Sequence, residues 1–303
     1  MCAIYYTESQ KDPCIGECIG NYILDNLIEN TKNSIIYSCT NITTKKNYAI
    51  KMVKIWESAL KRVEEETRVL KSIDCTYIAT PTEIFNYPPY RCIVLPLAQS
   101  DAWKLYVNSP YKRLDEQTCR GICKTILLAL QYLHKRNIIH LDIKPDNFLI
   151  YDENAKDVLL ADFGFAHKIE DGKLSTEFNG TLTFAAPEII TGTPYEKSVD
   201  IWSLGVSMYV LLSGMFPFPV TPEVVLRDCI KNGRYFFPAS RWASVSRDAR
   251  DLISHMIVVK PSNRFTVEQC LDHKWFKIDG VERSHTWHSL PSIVPKSMVP
   301  NAS

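Results

Sequence analysis

The apolar pattern of the chain changes period near residue 100, and that change limits the fold more than any other feature. Before it, apolar residues come in short β-rich runs: Tyr22-Ile23-Leu24, Ser34-Ile35-Ile36-Tyr37, Tyr48 to Val53, Thr82 to Asn86 and Arg91 to Leu95. One helical segment interrupts them, Ala59 to Ile73, apolar at Leu60, Val63, Val69, Leu70 and Ile73. After about Ser100 the helical period dominates. Glu116 to Lys135 carries a stripe of Ile122, Ile126, Leu127, Leu130 and Leu133. Further helices are expected at Ser198 to Ser213, Glu223 to Asn232, Ser246 to Val258 and Val267 to Leu271. Only Phe148 to Ile150 and Val158 to Leu160 read as strands there. The pattern predicts an α+β chain of two lobes, a small β-rich N-lobe and a larger helical C-lobe, without internal repeats.

Composition narrows the function classes. The chain has 303 residues, 46% apolar and 23% charged, with a net charge of +1. A near-neutral chain without a basic run gives no reason to expect nucleic acid as its main ligand. The longest apolar stretch, Val206 to Phe216, is too short to span a bilayer and reads as a buried helix. Met1 to Tyr6 lack a basic start and an apolar core, Cys2 stands where myristoylation needs glycine, and Asn301-Ala302-Ser303 holds no prenylation cysteine. No membrane association is expected. Ten cysteines include two pairs four apart, Cys14/Cys18 and Cys119/Cys123. Neither pair has the context of a zinc site, so helical neighbours or buried thiols are the better reading. Reduced cysteines imply an intracellular protein, cytoplasmic or nuclear.

The chemistry concentrates in His140-Leu141-Asp142-Ile143-Lys144-Pro145-Asp146-Asn147, followed by Asp162-Phe163-Gly164. A carboxylate, a lysine, an amide and a second carboxylate stand in fixed order. Asp142 can orient a hydroxyl and accept its proton, and Lys144 can neutralise charge on a transferring phosphoryl group. Asn147 and Asp162 offer hard oxygen ligands to Mg2+.

In these residues the chain resembles the protein kinases, over roughly residues 21–276. The lysine two positions after Asp142 resembles the serine/threonine branch. The resemblance implies a kinase-like two-lobed fold: an irregular leader 1–20, an N-lobe 21–95, a hinge 96–100, a C-lobe 101–276 and a flexible tail 277–303. Ala49-Ile50-Lys51 resembles the third-strand motif, whose lysine holds the α- and β-phosphates of ATP and pairs with a helical carboxylate, here Glu66. Glu64 and Glu65 point to other helix faces. Leu149 is implied beneath adenine, with Ile36 and Ala49 above it. Leu95 is implied as gatekeeper, Pro96 (carbonyl only) and Ala98 as readers of the adenine edge, and Asp101 as a ribose contact. Thr181 in Gly180-Thr181 is implied beside Asp142 and Lys144. Glu188 of Ala186-Pro187-Glu188 is expected to pair with Arg264, and Asp200 to brace the catalytic loop. Residues 266–276, with His273-Lys274-Trp275-Phe276, lean toward the calmodulin-dependent group, although no basic amphipathic calmodulin target follows.

Two departures stand out. The phosphate-covering loop of the family is glycine-rich, whereas Glu29, Thr31 and Ser34 occupy its three glycine positions. Side chains there, and the charge of Glu29, should hold the loop farther from phosphate unless Lys32 turns inward. Leu141 replaces the arginine that normally binds a phosphorylated activation loop, so phosphorylation at Ser175 or Thr176 should not switch the enzyme through that position. Asp146 suggests recognition of a basic residue in the substrate, and Thr286, three residues after Arg283, is a candidate autophosphorylation site. The implied function is ATP- and Mg2+-dependent phosphorylation of protein Ser/Thr hydroxyls. The alternative is a pseudokinase that acts as a nucleotide-binding or scaffolding module.

Overall fold

The computed structural model describes residues 12–56, 59–169 and 180–277. Ser175, Thr176, the Arg283–Thr286 segment and the rest of the tail expectation lie outside them.

The β-rich runs form one antiparallel sheet. Its strands are β1 (Cys18–Ile19), β2 (Tyr22–Asn30), β3 (Ser34–Asn41), β4 (Asn47–Lys54), β5 (Glu83–Tyr87) and β6 (Tyr90–Pro96), ordered β1-β2-β3-β4-β6-β5. Helix α1 (Leu60–Ser72) is inserted between β4 and β5. Alternation sorts the side chains. Ile35, Tyr37, Ile50, Met52, Cys92 and Val94 face a separate apolar cluster on one side of the sheet. The opposite register row aligns Ile36 with Lys51, and Ala49 with Leu95. That face is only half-buried and lies toward the second lobe.

The second lobe begins with β7 (Ser100–Asp101) and α2 (Ala102–Asn108), then α3 (Glu116–His134) and β8 (Ile138–Ile139). Next come β9 (Phe148–Ile150), β10 (Val158–Leu160), β11 (His167–Lys168) and α4 (Pro187–Thr191). The lobe closes with α5 (Ser198–Ser213), α6 (Glu223–Lys231), α7 (Ala239–Trp242), α8 (Arg247–Met256) and α9 (Val267–Asp272). α5 is buried from Val199 to Ser213 on every face, which explains why it reads as continuously apolar and not striped. α3 packs its predicted stripe, Ile122, Ile126, Leu127, Leu130 and Leu133, into the same core.

Two expectations are corrected and a third is extended. The leader has no regular element from Asp12 to Glu17, as expected, but it is docked onto the sheet. Asp12 accepts from Tyr90 and pairs with Lys54 at 3.0 Å, Tyr37 donates to the carbonyl of Pro13 at 2.6 Å, and β1 pairs with β2. Cys14 and Cys18 are neither helical nor buried; they flank an exposed turn, whereas Cys119 and Cys123 are buried one turn apart on α3 with sulfurs 3.9 Å apart. The hinge is shorter than expected, because β6 runs through Pro96 and β7 already starts at Ser100.

Candidate active site

Lys51 sits on the half-buried face of β4 and reaches two carboxylates at once. Its Nζ lies 2.8 Å from Glu66 Oε1 and 2.7 Å from Asp162 Oδ1. Glu66 is 3% exposed on the buried side of α1, while Glu64 is exposed and Glu65 turns to Arg68. Burial by itself would lower the pKa of Lys51, but Asp162 and then Glu66 outweigh it and hold the ammonium well above its ordinary value. Burial would likewise raise Asp162, yet Lys51 and the Gly164 N–H keep it a carboxylate far below the usual range. Asp162 adopts φ +61, a left-handed backbone that a non-glycine residue rarely takes. Phe163 beside it is 1% exposed and meets His140 edge-on at 4.8 Å.

The second cluster is built on the loop after β8. Thr181 Oγ donates to Asp142 Oδ1 at 2.8 Å and accepts from Lys144 Nζ at 2.9 Å. Lys144 also pairs with Asp142 Oδ2 at 2.8 Å. Burial would lower the lysine's pKa, but Asp142, with Asp162 and Asp146, raises it above the ordinary value, so it stays cationic. Asn147 ends a 3-10 turn opened by Pro145 and donates its amide N–H twice to Asp142, to the carbonyl at 2.7 Å and to Oδ2 at 3.1 Å. Its amide oxygen is thereby turned away from Asp142.

The loop is braced from beneath. Asp200, at 0% exposure on α5, accepts from the backbone N–H of His140 and of Leu141, each at 3.0 Å. His134 Nε2, on α3, bonds the same carboxylate at 2.9 Å, a partner that sequence reading missed. Burial would raise the pKa of Asp200, but His134 together with His140 and its backbone N–H lowers it, and the carboxyl stays ionised. His140 accepts the Asp142 N–H on Nδ1 at 3.3 Å and donates Nε2–H to the Ala161 carbonyl at 3.1 Å, an arrangement only the neutral ring allows. Burial depresses its pKa in the same sense. Leu141, at φ +67, packs partly into the core. Arg264 grips Glu188 with two nitrogens at 2.8 and 3.1 Å, the arginine side chain at 0% exposure.

The cleft residues fall on facing surfaces. Ile36, Ala49 and Leu95 lie on the half-buried side of the sheet, and Leu149 on β9 pairs with Asp101 of β7. Leu95, Pro96 and Ala98 are all half-buried. Two were expected to be open to a ligand but carry partners: Tyr151 donates its hydroxyl to the Pro96 carbonyl at 3.3 Å, and Asp101 N-caps α2, accepting from Lys104 N at 2.7 Å. Asp146 is exposed as a residue, but partial desolvation of its carboxyl, with Asp101 and Asp142 nearby, raises its pKa.

The glycine-free turn differs from expectation. No residue from Glu29 to Ser34 has a positive φ, so the backbone there asks for no glycine. Thr31 closes the turn instead. Its Oγ donates to the Ser34 carbonyl at 3.0 Å and accepts the Ser34 N–H at 3.1 Å. A β-bulge falls at Ile28, 44% exposed, just before this turn.

Asn147 and Asp162 fit Mg2+ in donor chemistry: each keeps an oxygen that no protein hydrogen bond uses among the described residues, and Asp162 is ionised. Magnesium commonly needs only one or two such protein ligands beside phosphate and water. Among the described residues no cluster of three or more metal-ligating side chains exists, and no helix is long and apolar enough to cross a membrane.

The protein kinase domain family model matches residues 24–276. Serine/threonine-protein kinase D2 of Rattus norvegicus is 30% identical over 276 residues, which cover 90% of this chain and 31% of that protein. The chain thus spans about a third of the length of those relatives. A probable myosin light chain kinase of Dictyostelium discoideum is 34% identical over 87% of this chain and 84% of its own length. Myosin light chain kinase A of the same organism is 33% identical over 80% and 84% respectively. These matches establish that the chain belongs to the protein kinase family, in its serine/threonine branch.

Proposed function

We propose that the protein transfers the γ-phosphoryl group of ATP to serine and threonine hydroxyls of proteins, without waiting for activation-loop phosphorylation. The observation that carries this reading is the simultaneous engagement of Lys51 by Glu66 and Asp162, beside an Asp142–Lys144–Thr181 cluster. Asp142 orients the acceptor hydroxyl and takes its proton, and Lys144 offsets charge as the phosphoryl moves. Lys51 holds the α- and β-phosphates. Ile36 and Ala49 cover adenine, Leu149 supports it, and the Pro96 carbonyl and Ala98 read its edge beside Leu95. Asp101 has one carboxylate oxygen close to Lys104 and the other to the α2 N-terminus, so a ribose contact would share them. Asn147 and Asp162 would hold Mg2+, which supplies charge neutralisation on the phosphates when bound.

Leu141 supports independence from loop phosphorylation, because it cannot form the charged pair that arginine would. Every cysteine among the described residues is free, consistent with a reducing intracellular compartment. The pseudokinase reading rests on the missing glycines, and the absence of positive φ in Glu29–Ser34 weakens it. The test is phosphorylation of a generic Ser/Thr peptide with Mg·ATP by wild type, Asp142→Asn and Lys51→Met. Activity lost in both variants supports transfer; equal residual signal in all three favours the pseudokinase.

A further inference from the structure

α1 carries Glu66, yet its own N-terminus is weakly fastened. Ala59 at the N-cap makes no side-chain capping bond, and the first turn holds no acidic residue. Leu60 there is 42% exposed. Burial on α1 starts at Val63 and is densest from Glu66 to Leu70. Contacts from neighbouring segments therefore add to what holds the first turn.

Arg62 is in that turn, four residues before Glu66 and so on nearly the same face. Its guanidinium carbon lies 5.6 Å from the centroid of the Phe165 ring. Both residues are half-buried, and Arg62 forms no ion pair among the described residues. Phe165 follows Gly164 directly, three positions after Asp162. The contact thus joins the helix that carries one partner of Lys51 to the segment that carries the other. It closes a ring: Lys51 to Glu66, along α1 to Arg62, across to Phe165, and back through Gly164 to Asp162 and Lys51.

We propose that Arg62 is a positioning residue. Its cation seated on the Phe165 ring clamps the start of α1 and keeps Glu66 on Lys51 without any covalent modification of the chain. The proposal deepens the kinase reading and rests on Lys51 as the phosphate-holding lysine. A cation over an aromatic face at a half-buried site corresponds to roughly a three- to tenfold effect on a coupled equilibrium.

The test is a double-mutant cycle on the full chain. Arg62→Met keeps the apolar stem and removes the cation; Phe165→Leu keeps apolar bulk and removes the ring face; Arg62→Lys keeps a cation. Mg·ATP affinity is measured by calorimetry, peptide phosphorylation by kcat and KM, and α1 opening by amide hydrogen exchange without nucleotide. Each single loss should weaken Mg·ATP binding roughly three- to tenfold and speed exchange in the first turns of α1. The double variant should be no worse than either single one, and Arg62→Lys should recover most of the loss. Multiplicative losses, or an Arg62→Lys as impaired as Arg62→Met, overturn the clamp. So does a wild type whose activity falls on phosphatase treatment while Arg62→Met does not respond, because Arg62 would then serve a phosphate. A wild type that binds Mg·ATP but transfers nothing defeats the kinase reading alone. The calorimetric cycle still judges the clamp, and the exchange cycle does so even without nucleotide binding.

Discussion

Thr31→Gly puts the glycine-free loop to the question, because the sequence and the structure predict opposite signs. If the Thr31 side chain simply holds the loop away from phosphate, glycine should tighten ATP binding. The structure gives glycine nothing to relieve, since no residue of the turn has a positive φ. It gives threonine two bonds to lose, the hydroxyl to the Ser34 carbonyl at 3.0 Å and the Ser34 N–H to the hydroxyl at 3.1 Å. Both are exposed, so together they contribute about 1 kcal/mol. The added freedom of a glycine backbone costs about 0.5–1 kcal/mol more. The sum, roughly 1.5–2 kcal/mol, caps the loss of ATP affinity at about ten- to thirtyfold. If half of that cost is felt in the nucleotide-bound state, KM for ATP should rise about three- to sixfold. Thr31→Ser retains the hydroxyl and should stay close to wild type. The assay is the ATP dependence of peptide phosphorylation at fixed Mg2+, with calorimetric Kd as a check on KM. A threefold or greater fall in KM for Thr31→Gly would refute the reasoning, and would return the loop to the sequence-based expectation.

Other expectations follow from the buried groups. Glu188→Gln leaves the Arg264 guanidinium buried with its carboxylate partner neutralised, and should cost about 3–5 kcal/mol; a thermal midpoint lowered by less than about 3 °C would contradict it. Tyr151→Phe frees the Pro96 carbonyl of its 3.3 Å hydroxyl donor. If that bond orients the carbonyl toward adenine, KM for ATP should rise about two- to fivefold with kcat unchanged; a fall in KM would mean that the hydroxyl competes with adenine. His140 is neutral and its pKa is depressed by burial from 6.5, so the unfolded chain takes up the proton first as the pH drops. Its contribution is full above pH 6.5 and is lost progressively below that, down to the folded-state pKa. Thermal midpoints from pH 7.5 to 5 should therefore decline more steeply for wild type than for His140→Phe, and parallel curves would exclude the assignment.

What was legible in the sequence depended on whether the partner lay at a readable spacing. The strands and helices that position Lys51, Glu66 and Asp142 follow from periods of two and 3.6 that each segment carries alone. Glu66 was separable from Glu64 and Glu65 because adjacent helix positions point apart. The misses share a different cause. Asp12 docks through Lys54 and Tyr90, 42 and 78 residues away, and a polar leader offers no period to betray that. α2 has only seven residues, less than two full apolar repeats, although Asp101 as N-cap was a usable signal. His134, Tyr151 and Arg62 act through partners 66, 55 and 103 positions away, and each is an ordinary residue in its own segment. The bond from Thr31 to Ser34 was local and could have been read as a hydroxyl-closed turn, but the absent glycines drew attention to what the loop lacked.

The glycine-free departure from the family pattern falls where substitution is cheap, and that bears on whether the protein is active. The groups that would do chemistry are interlocked by burial. Lys51 cannot be lost without stranding two carboxylates, nor Arg264 without stranding Glu188. Glu29 to Asn33 are exposed, and changes at exposed positions away from such features commonly shift stability by less than about 0.5 kcal/mol. A chain drifting toward a mere scaffold would be expected to keep Glu188, Arg264 and Asp200, which hold the fold. It would have no comparable reason to keep Asp142, Lys144 and Thr181 hydrogen-bonded around a site where a hydroxyl would sit, since an apolar trio could fill that space without burying charge. Lys144 is cationic, half-buried and turned onto Asp142 and Thr181. Retaining that arrangement makes physical sense when it stabilises a transferring phosphoryl group, which favours the catalytic reading over a scaffold.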